Sequence, residues 1–197
     1  MLWLILSVLI WGLVHSFLAS LGVKNRIGSL IGDRGMRFYR LGYNLFSALS
    51  FIPIVWIFAI LPDKTLYRLP APWSYLFLAG QAGALILLLI GVLQTDTLSF
   101  IGLRQLLEGQ ERPAELVTHG LYRYVRHPLY TAGLLFIWLT PVMSVKALVL
   151  FVALSVYIAV GAVFEERKLT REFGLAYVEY RAVTPMLIPG LKFKRNK

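Results

Sequence analysis

Cysteine is absent from the 197 residues. That excludes disulfides, thiolate metal ligands, a cysteine nucleophile and thioether-linked haem. Charge is scarce as well: 15% of residues are charged, where a soluble domain carries about 25%. Acidic residues are the scarcer sign, ten against twenty basic ones, and the net charge is +10. The sequence has no Walker loop, no GxGxxG and no GxSxG nucleophile elbow, and its three histidines lack metal-ligand spacing. No internal repeat or low-complexity linker divides it.

What the sequence has in abundance is hydrocarbon. The hydrophobic set makes up 58% of the chain, which argues against a water-soluble globule. Five runs carry no Lys, Arg, Asp or Glu: Met1–Val23, Leu41–Pro62, Leu69–Thr95, Leu129–Val145 and Ala147–Phe164. A spanning helix needs roughly 20 apolar residues. The runs therefore predict an all-α, integral membrane helical bundle forming one domain, with spans near 1–22, 41–62, 73–95, 129–144 and 146–164. The last two read as a helical hairpin with a tight turn near Pro141–Lys146. The first run lacks the positive n-region of a secretory signal and reads as a retained anchor.

Of the twenty basic residues, all but Lys64, Arg68 and Lys146 fall in 24–40, in 96–128 or after Phe164. With five spans these segments share one side. The positive-inside rule then predicts an external N-terminus and a cytoplasmic C-terminus. Topology and anionic headgroups account for the basic excess without nucleic acid. The same pattern predicts a cytoplasmic region over 96–128 and 165–197. Within it, Leu98, Ile101, Leu103, Leu106 and Leu107 suggest a short interfacial helix, broken at Gly109–Pro113. Tyr177, Val178, Tyr180 and Arg181 suggest a second after Gly174, ended by Pro185 and Pro189–Gly190.

Two stretches can carry chemistry. The first runs from Leu116 to Tyr130 and ends in Arg126-His127-Pro128-Leu129-Tyr130. Pro128 fits the first turn of a helix, which makes His127 a cap-region residue at an end that attracts anions. Tyr130 shares that opening, and Gly120 lets backbone approach a ligand closely. The plain alternative is an interfacial belt of Tyr, Arg and His. The second stretch is Glu165-Glu166, where the last span leaves the bilayer. A helix C-terminus favours cations, so the pair predicts either a helix continuing as a solvated extension, or a carboxylate turned inward onto a ribose diol, an amine or a sulfonium. His15 lies inside the first span, as a functional group or as a polar bond to a neighbouring helix.

These elements resemble the isoprenylcysteine carboxyl methyltransferase and phospholipid methyltransferase superfamily. Arg126-His127-Pro128-Leu129-Tyr130 matches its Arg-His-Pro-x-Tyr signature, followed in order by Glu165-Glu166, Glu172-Phe173-Gly174 and Tyr177 to Tyr180. The N-terminal part, with His15-Ser16, Lys24, Tyr39-Arg40-Leu41 and Tyr43-Asn44, resembles the NnrU-type and methanethiol methyltransferase-like branch. The resemblance implies a bacterial inner-membrane enzyme that uses S-adenosylmethionine, with no metal. It implies that Leu116 and Val117 meet adenine through backbone, and that Gly120 and Tyr122 shape the entrance. His127 and Tyr130 would meet the sulfonium end, and Glu165 and Glu166 the ribose hydroxyls and amino group. Arg126, His127 and Arg181 are its candidate catalytic residues, the arginines steering an anionic group and His127 or a glutamate taking a proton from an amine or thiol acceptor. The acceptor stays open among a prenylcysteine-like carboxylate, a small thiol and a lipid headgroup. Membrane sterol reductases, which use NADPH, share the Arg-His-Pro-x-Tyr element, but Leu129 and Leu134 depart from their pattern. A non-catalytic membrane protein of the same fold is the other alternative.

Overall fold

The computed structural model describes residues 1–108 and 115–191. In chain order the elements are α1 (Leu2–Ala19), α2 (Leu21–Ile60), β1 (Thr65–Arg68), α3 (Trp73–Leu93), α4 (Thr97–Ile101), α5 (Leu103–Glu108), a 3-10 turn (Gly120–Arg123), α6 (Pro128–Trp138), β2 (Val142–Ser144), α7 (Val145–Phe173) and α8 (Leu175–Val183). The expected break at Gly109–Pro113, Arg112 and the basic tail residues Lys192, Lys194, Arg195 and Lys197 lie outside the described residues. Among the described residues four helices, α1, α2, α3 and α7, are long and apolar enough to cross a membrane. Residues such as Trp3, Leu13, Phe17 and Trp56 stay exposed on them, as lipid-facing positions would. The protein is a multi-pass membrane helical bundle.

The chain forms two compact units, one made of Met1–Lys64, Asp96–Pro113 and Ser144–Leu154, the other of Thr65–Thr95, Ala114–Met143 and Ser155–Lys197. In the first unit, Ser20 alone separates α1 from α2. Its extended backbone breaks the helix, its hydroxyl donates to the Phe17 carbonyl at 2.7 Å, and the same oxygen accepts from Val23 N–H at 3.4 Å. Segment 24–40, which its charges place outside the apolar runs, is the first half of α2. Gly32, at φ 64° and ψ −179°, is the non-helical residue inside it. Leu4, Val8 and Ile54 form the unit's buried centre, with Trp11, Phe51, Phe58, Val149 and Leu150 packed around it. Residues 4, 8, 11 and 15 lie on one stripe of α1. His15 therefore faces α2, where 43, 47, 51, 54 and 58 make the matching stripe. Its Nδ1 lies 2.9 Å from Ser47 Oγ and its Nε2 2.6 Å from Tyr43 Oη. Ser47 spends its only hydroxyl hydrogen on the Tyr43 carbonyl at 2.8 Å. Nδ1 must then donate to Ser47, and Nε2 must accept from Tyr43. Trp11 stacks on the ring at 4.9 Å.

The interfacial helix expected across 98–107 is two helices, α4 and α5, separated by Gly102 at φ 96°. A Cβ there would come within 2.6 Å of the Leu41 backbone nitrogen, so only glycine lets α2 pass this closely. Asp96 caps α4 and pairs with Arg104 at 2.8 Å. Its hydrogen bonds to Ser99, with Arg104 close by, hold its carboxyl down at about 2.

In the second unit α3 and α6 pack at close range through small residues. A Cβ at Gly80 would sit 2.9 Å from Leu139, and one at Gly91 2.8 Å from Leu129. Ala84 lies on the same face and is buried, as is Ala132 of α6. Small residues at such spacings let membrane helices approach backbone to backbone. The expected fourth span is shorter than its apolar run. α6 has 11 residues, about 16 Å at 1.5 Å each, against a hydrocarbon core of about 30 Å. The rest of the run continues through Leu139–Pro141 into β2, so the tight turn predicted near Pro141–Lys146 is a strand pairing with β1. α7 is the opposite case. Its 29 residues exceed a bilayer crossing and continue past Glu166 to Phe173.

The His15–Tyr43 bond joins the two longest stretches of the first unit. A double-mutant cycle of His15→Ala with Tyr43→Phe should give a coupling of about 1 kcal/mol in detergent unfolding. Additive losses would show that the bond does not hold α1 to α2.

Candidate active site

The second unit gathers most of the chemistry-bearing residues at the start of α6. His127 is the N-cap of that helix and Pro128 its first residue, as the Arg-His-Pro order predicts. The amides of Arg126 and His127 do not face an open anion site. They donate to the carbonyls of Pro185 at 2.9 Å and Met186 at 3.2 Å. Thr131 Oγ1 donates to the Leu187 carbonyl at 2.7 Å. The segment after α8 is thus stitched along the first turn of α6.

Arg126 locks this junction to α7. Its Nε and Nη2 both lie 2.5 Å from Glu166 Oε1. Its Nη1 donates to the carbonyls of Arg181, at 3.2 Å, and of Thr184. The two side chains are 8% and 12% exposed, so this is a buried ion pair with most of the guanidinium hydrogens in use. Arg181 enters the arrangement through its carbonyl.

Glu165 and Glu166 diverge by about 100° around α7, as neighbours on a helix must. His127 occupies the space between them. Its Nδ1 is 3.6 Å from Glu165 Oε2 and its Nε2 3.4 Å from Glu166 Oε1. The imidazole stacks on the Tyr130 ring, centroids 5.3 Å apart and 13° from parallel. Tyr130 donates its hydroxyl to Glu165 Oε2 at 2.7 Å. His127 is 6% exposed, and Nε2 has no hydrogen-bond partner among the described residues.

Aromatic hydroxyls surround this cluster. Tyr180 donates to the Tyr122 carbonyl at 2.5 Å, tying α8 to the 3-10 turn. Burial, then the Glu165 charge, pushes the Tyr122 phenol up to about 12. Burial also raises Tyr180 to about 12. Both phenols therefore remain neutral donors at any physiological pH.

The remaining predicted residues lie at the margin. Leu116 and Val117 are half-buried in the irregular stretch before the turn, outside the hydrogen-bonded cluster. Gly120 has φ 61°, and a Cβ there would overlap the side-chain amide of Gln94. Gln94 Oε1 accepts from Leu121 N–H at 2.8 Å. The close approach that Gly120 allows is thus to Gln94, a residue the sequence did not single out. Two further residues escaped the sequence reading as site groups, Thr184 beside Arg126 and the fully buried Tyr177. Both follow Gly174 in a stretch that the sequence marks as an amphipathic helix and as part of the superfamily pattern, without a site role for either residue.

The family model described as NnrU protein matches residues 3–190. A methanethiol S-methyltransferase of Crocosphaera subtropica is 32% identical over 161 residues, 76% of this chain and 60% of that protein. Methanethiol S-methyltransferase 2 of Bradyrhizobium diazoefficiens is 46% identical over 76 residues, 39% of this chain and 29% of that one. The Pseudomonas deceptionensis methanethiol S-methyltransferase is 35% identical over 111 residues, 54% and 42% of the two chains. The chain spans 60% or less of the length of these three relatives. No solved structure matches it.

Breaking a buried ion pair from one side leaves an uncompensated charge. Arg126→Ala should therefore cost about 3–5 kcal/mol in unfolding free energy. Arg126→Lys should recover little of this, because an ammonium cannot reproduce the fork across Glu166 and two carbonyls. Detergent unfolding of both variants beside the unsubstituted chain checks the expectation; wild-type stability in Arg126→Ala would refute it.

Proposed function

This chain belongs to the NnrU protein family, and on that premise we propose that it is a membrane methyltransferase that methylates a small thiol with S-adenosylmethionine. The observation that carries the reading is the buried imidazole of His127, bracketed by two carboxylates and left with an unfilled nitrogen. A ligand that met this nitrogen would remove the cost of a buried unpaired polar atom, about 1–3 kcal/mol. The similarity to proteins named methanethiol S-methyltransferase supports a thiol as acceptor.

The residues present fit the donor's chemistry. S-adenosylmethionine, when bound, supplies a methyl group on a positively charged sulfur, so the chain needs no nucleophile of its own. Glu165 offers a carboxylate with one oxygen held by Tyr130 and the other available to an amine or a diol. Glu166 is neutralised by Arg126, and the site keeps about one net negative charge, suited to a cationic ligand. Arg126 acts here as a positioning residue for Glu166 and the C-terminal segment. Leu116 and Val117 remain candidates for backbone contact with the adenine, and Tyr122 for the entrance.

A thiol must lose its proton before its sulfur can attack. In this reading the His127 imidazole takes that proton, and the flanking carboxylates balance the charge gained by the ring. The bound donor would supply the methyl group as its own bond to that carbon is lost, so the balance would be two thioethers and one released proton. Most of the acceleration would come from alignment and exclusion of water. An apolar cavity of about 350 Å³ is lined by Leu121, Val125, Pro128, Thr131 and Leu135 among others, along the first turns of α6 and without the side chains of His127, Tyr130, Glu165 or Glu166. It gives an apolar thiol a place to partition beside the site.

Orientation follows from the charges. Asp63 and Lys146 meet at 3.8 Å, and the Leu69 amide bonds the Pro141 carbonyl at 2.9 Å. The connections after α2 and before α7 therefore lie at one end of each unit's helices, with few basic residues, while the basic segments lie at the other. That supports a cytoplasmic site and an external N-terminus in a bacterial inner membrane.

Detergent-solubilised chain should bind labelled S-adenosylmethionine and move the label to alkyl thiols in preference to a lipid extract. His127→Ala should lower transfer by about 10²–10⁴, the range of a lost general base. Binding of NADPH instead of S-adenosylmethionine would favour a reductase and overturn the reading.

A further inference from the structure

Tyr177 is the most deeply buried tyrosine in the second unit, at 1% exposure, yet its hydroxyl has no hydrogen-bond partner among the described residues. Its ring is not free to find one. It packs edge-on to Tyr180, centroids 6.0 Å apart at 68°, and Tyr180 is pinned by its bond to the Tyr122 carbonyl. The hydroxyl lies within electrostatic range of Glu166, Arg126 and Glu165 without bonding any of them. Burial, reinforced by the Glu166 charge, raises it far above the ordinary phenol range, so it stays protonated. Two polar ends, each more than nine-tenths buried, are thus left unfilled around Glu166: Tyr177 Oη and His127 Nε2.

We propose that the Tyr177 hydroxyl is a ligand-binding group of this site, a fixed donor to a hydroxyl or carboxylate oxygen of the bound methyl donor. The inference rests on the methyltransferase reading and adds a residue to it. A neutral phenol carries one hydrogen, and that hydrogen needs an acceptor atom. A sulfonium and an ammonium cannot accept, and thiol sulfur accepts weakly. A small thiol carries no oxygen, whereas S-adenosylmethionine carries hydroxyl and carboxylate oxygens. Tyr177 therefore serves the donor, while His127 serves the acceptor's proton.

The test compares Tyr177→Phe with Tyr180→Phe in the full detergent-solubilised chain. Without ligand, Tyr177→Phe removes only an unsatisfied hydroxyl, so its unfolding temperature should equal or exceed that of the unsubstituted chain. Tyr180→Phe, which loses a made bond, should unfold earlier. With labelled S-adenosylmethionine, Tyr177→Phe should bind about tenfold more weakly, one hydrogen bond's worth. Its KM for an alkyl thiol should be unchanged. A Tyr177→Phe chain that unfolds markedly earlier without ligand, or binds the donor as tightly as the unsubstituted chain, or changes only the thiol KM, overturns the proposal. Failure of the unsubstituted chain to bind the donor would instead overturn the methyltransferase reading beneath it.

Discussion

The ion pair between Arg126 and Glu166 is the constraint from which the rest of the site follows. A guanidinium 8% exposed is tolerable only with its donors occupied, and here they reach a carboxylate and two carbonyls. Arg126, on the approach to α6, thus meets two distant parts of the sequence, the extended end of α7 and the C-terminus of α8. One side chain therefore fixes three segments, and His127, the next residue, inherits its position. Because Arg126 also bonds through its amide to Pro185, the backbone around His127 cannot rotate without breaking both sets of contacts. The geometry of two adjacent carboxylates then does the rest. Separated by about 100° on α7, they cannot point at one spot, but they can flank a ring placed between them.

The length of α7 has its own consequence. A helix ending where the apolar run ends, near Phe164, would have left Glu165 and Glu166 beside the negative pole of its dipole. Continuing to Phe173 moves that pole two turns away, and Thr170 Oγ1 donates to the Glu166 carbonyl at 2.7 Å inside the extension. The carboxylates thus stand on regular helix, on a rigid element, at the level where α6 begins. Gly174, at φ 57°, then turns the chain into α8, which supplies Tyr177, Tyr180 and the carbonyls that Arg126 needs.

Much of this was legible because it depends on local rules. Charge-free runs give the long helices, Pro128 after His127 gives a helix start, and Gly174 before Tyr177 gives a turn and a short helix. What the sequence concealed depends on pairing across distance. The charges of 24–40 look like a loop because they mark an aqueous side, yet they do not forbid a helix, and α2 runs through them with one irregular residue at Gly32. The apolar run from 129 to 145 does not announce that its last third is extended, because a strand and a buried helix end share the same residues there. Gly120 signalled a close approach correctly, but nothing in its neighbourhood identified Gln94, 26 positions away, as what approaches. Arg126 looked available for an anionic ligand because its carboxylate lies 40 residues later.

The two histidines within the helical parts make the clearest contrast, since residue type alone does not tell them apart. Each sits beside a tyrosine and packs against an aromatic ring. At His15 both ring nitrogens are hydrogen-bonded, and the Ser47 hydroxyl fixes the tautomer by spending its hydrogen elsewhere. Such a ring has no lone pair or proton left to offer and serves as a pin between helices. At His127 the neighbouring groups are carboxylates at ion-pair range, and one nitrogen is buried without a hydrogen bond. Carboxylates at that range can balance a second proton on the ring, so it keeps the capacity to exchange one with a thiol. Completeness of hydrogen bonding, rather than burial or residue type, thus separates the histidine that holds the fold from the one that can take part in a reaction.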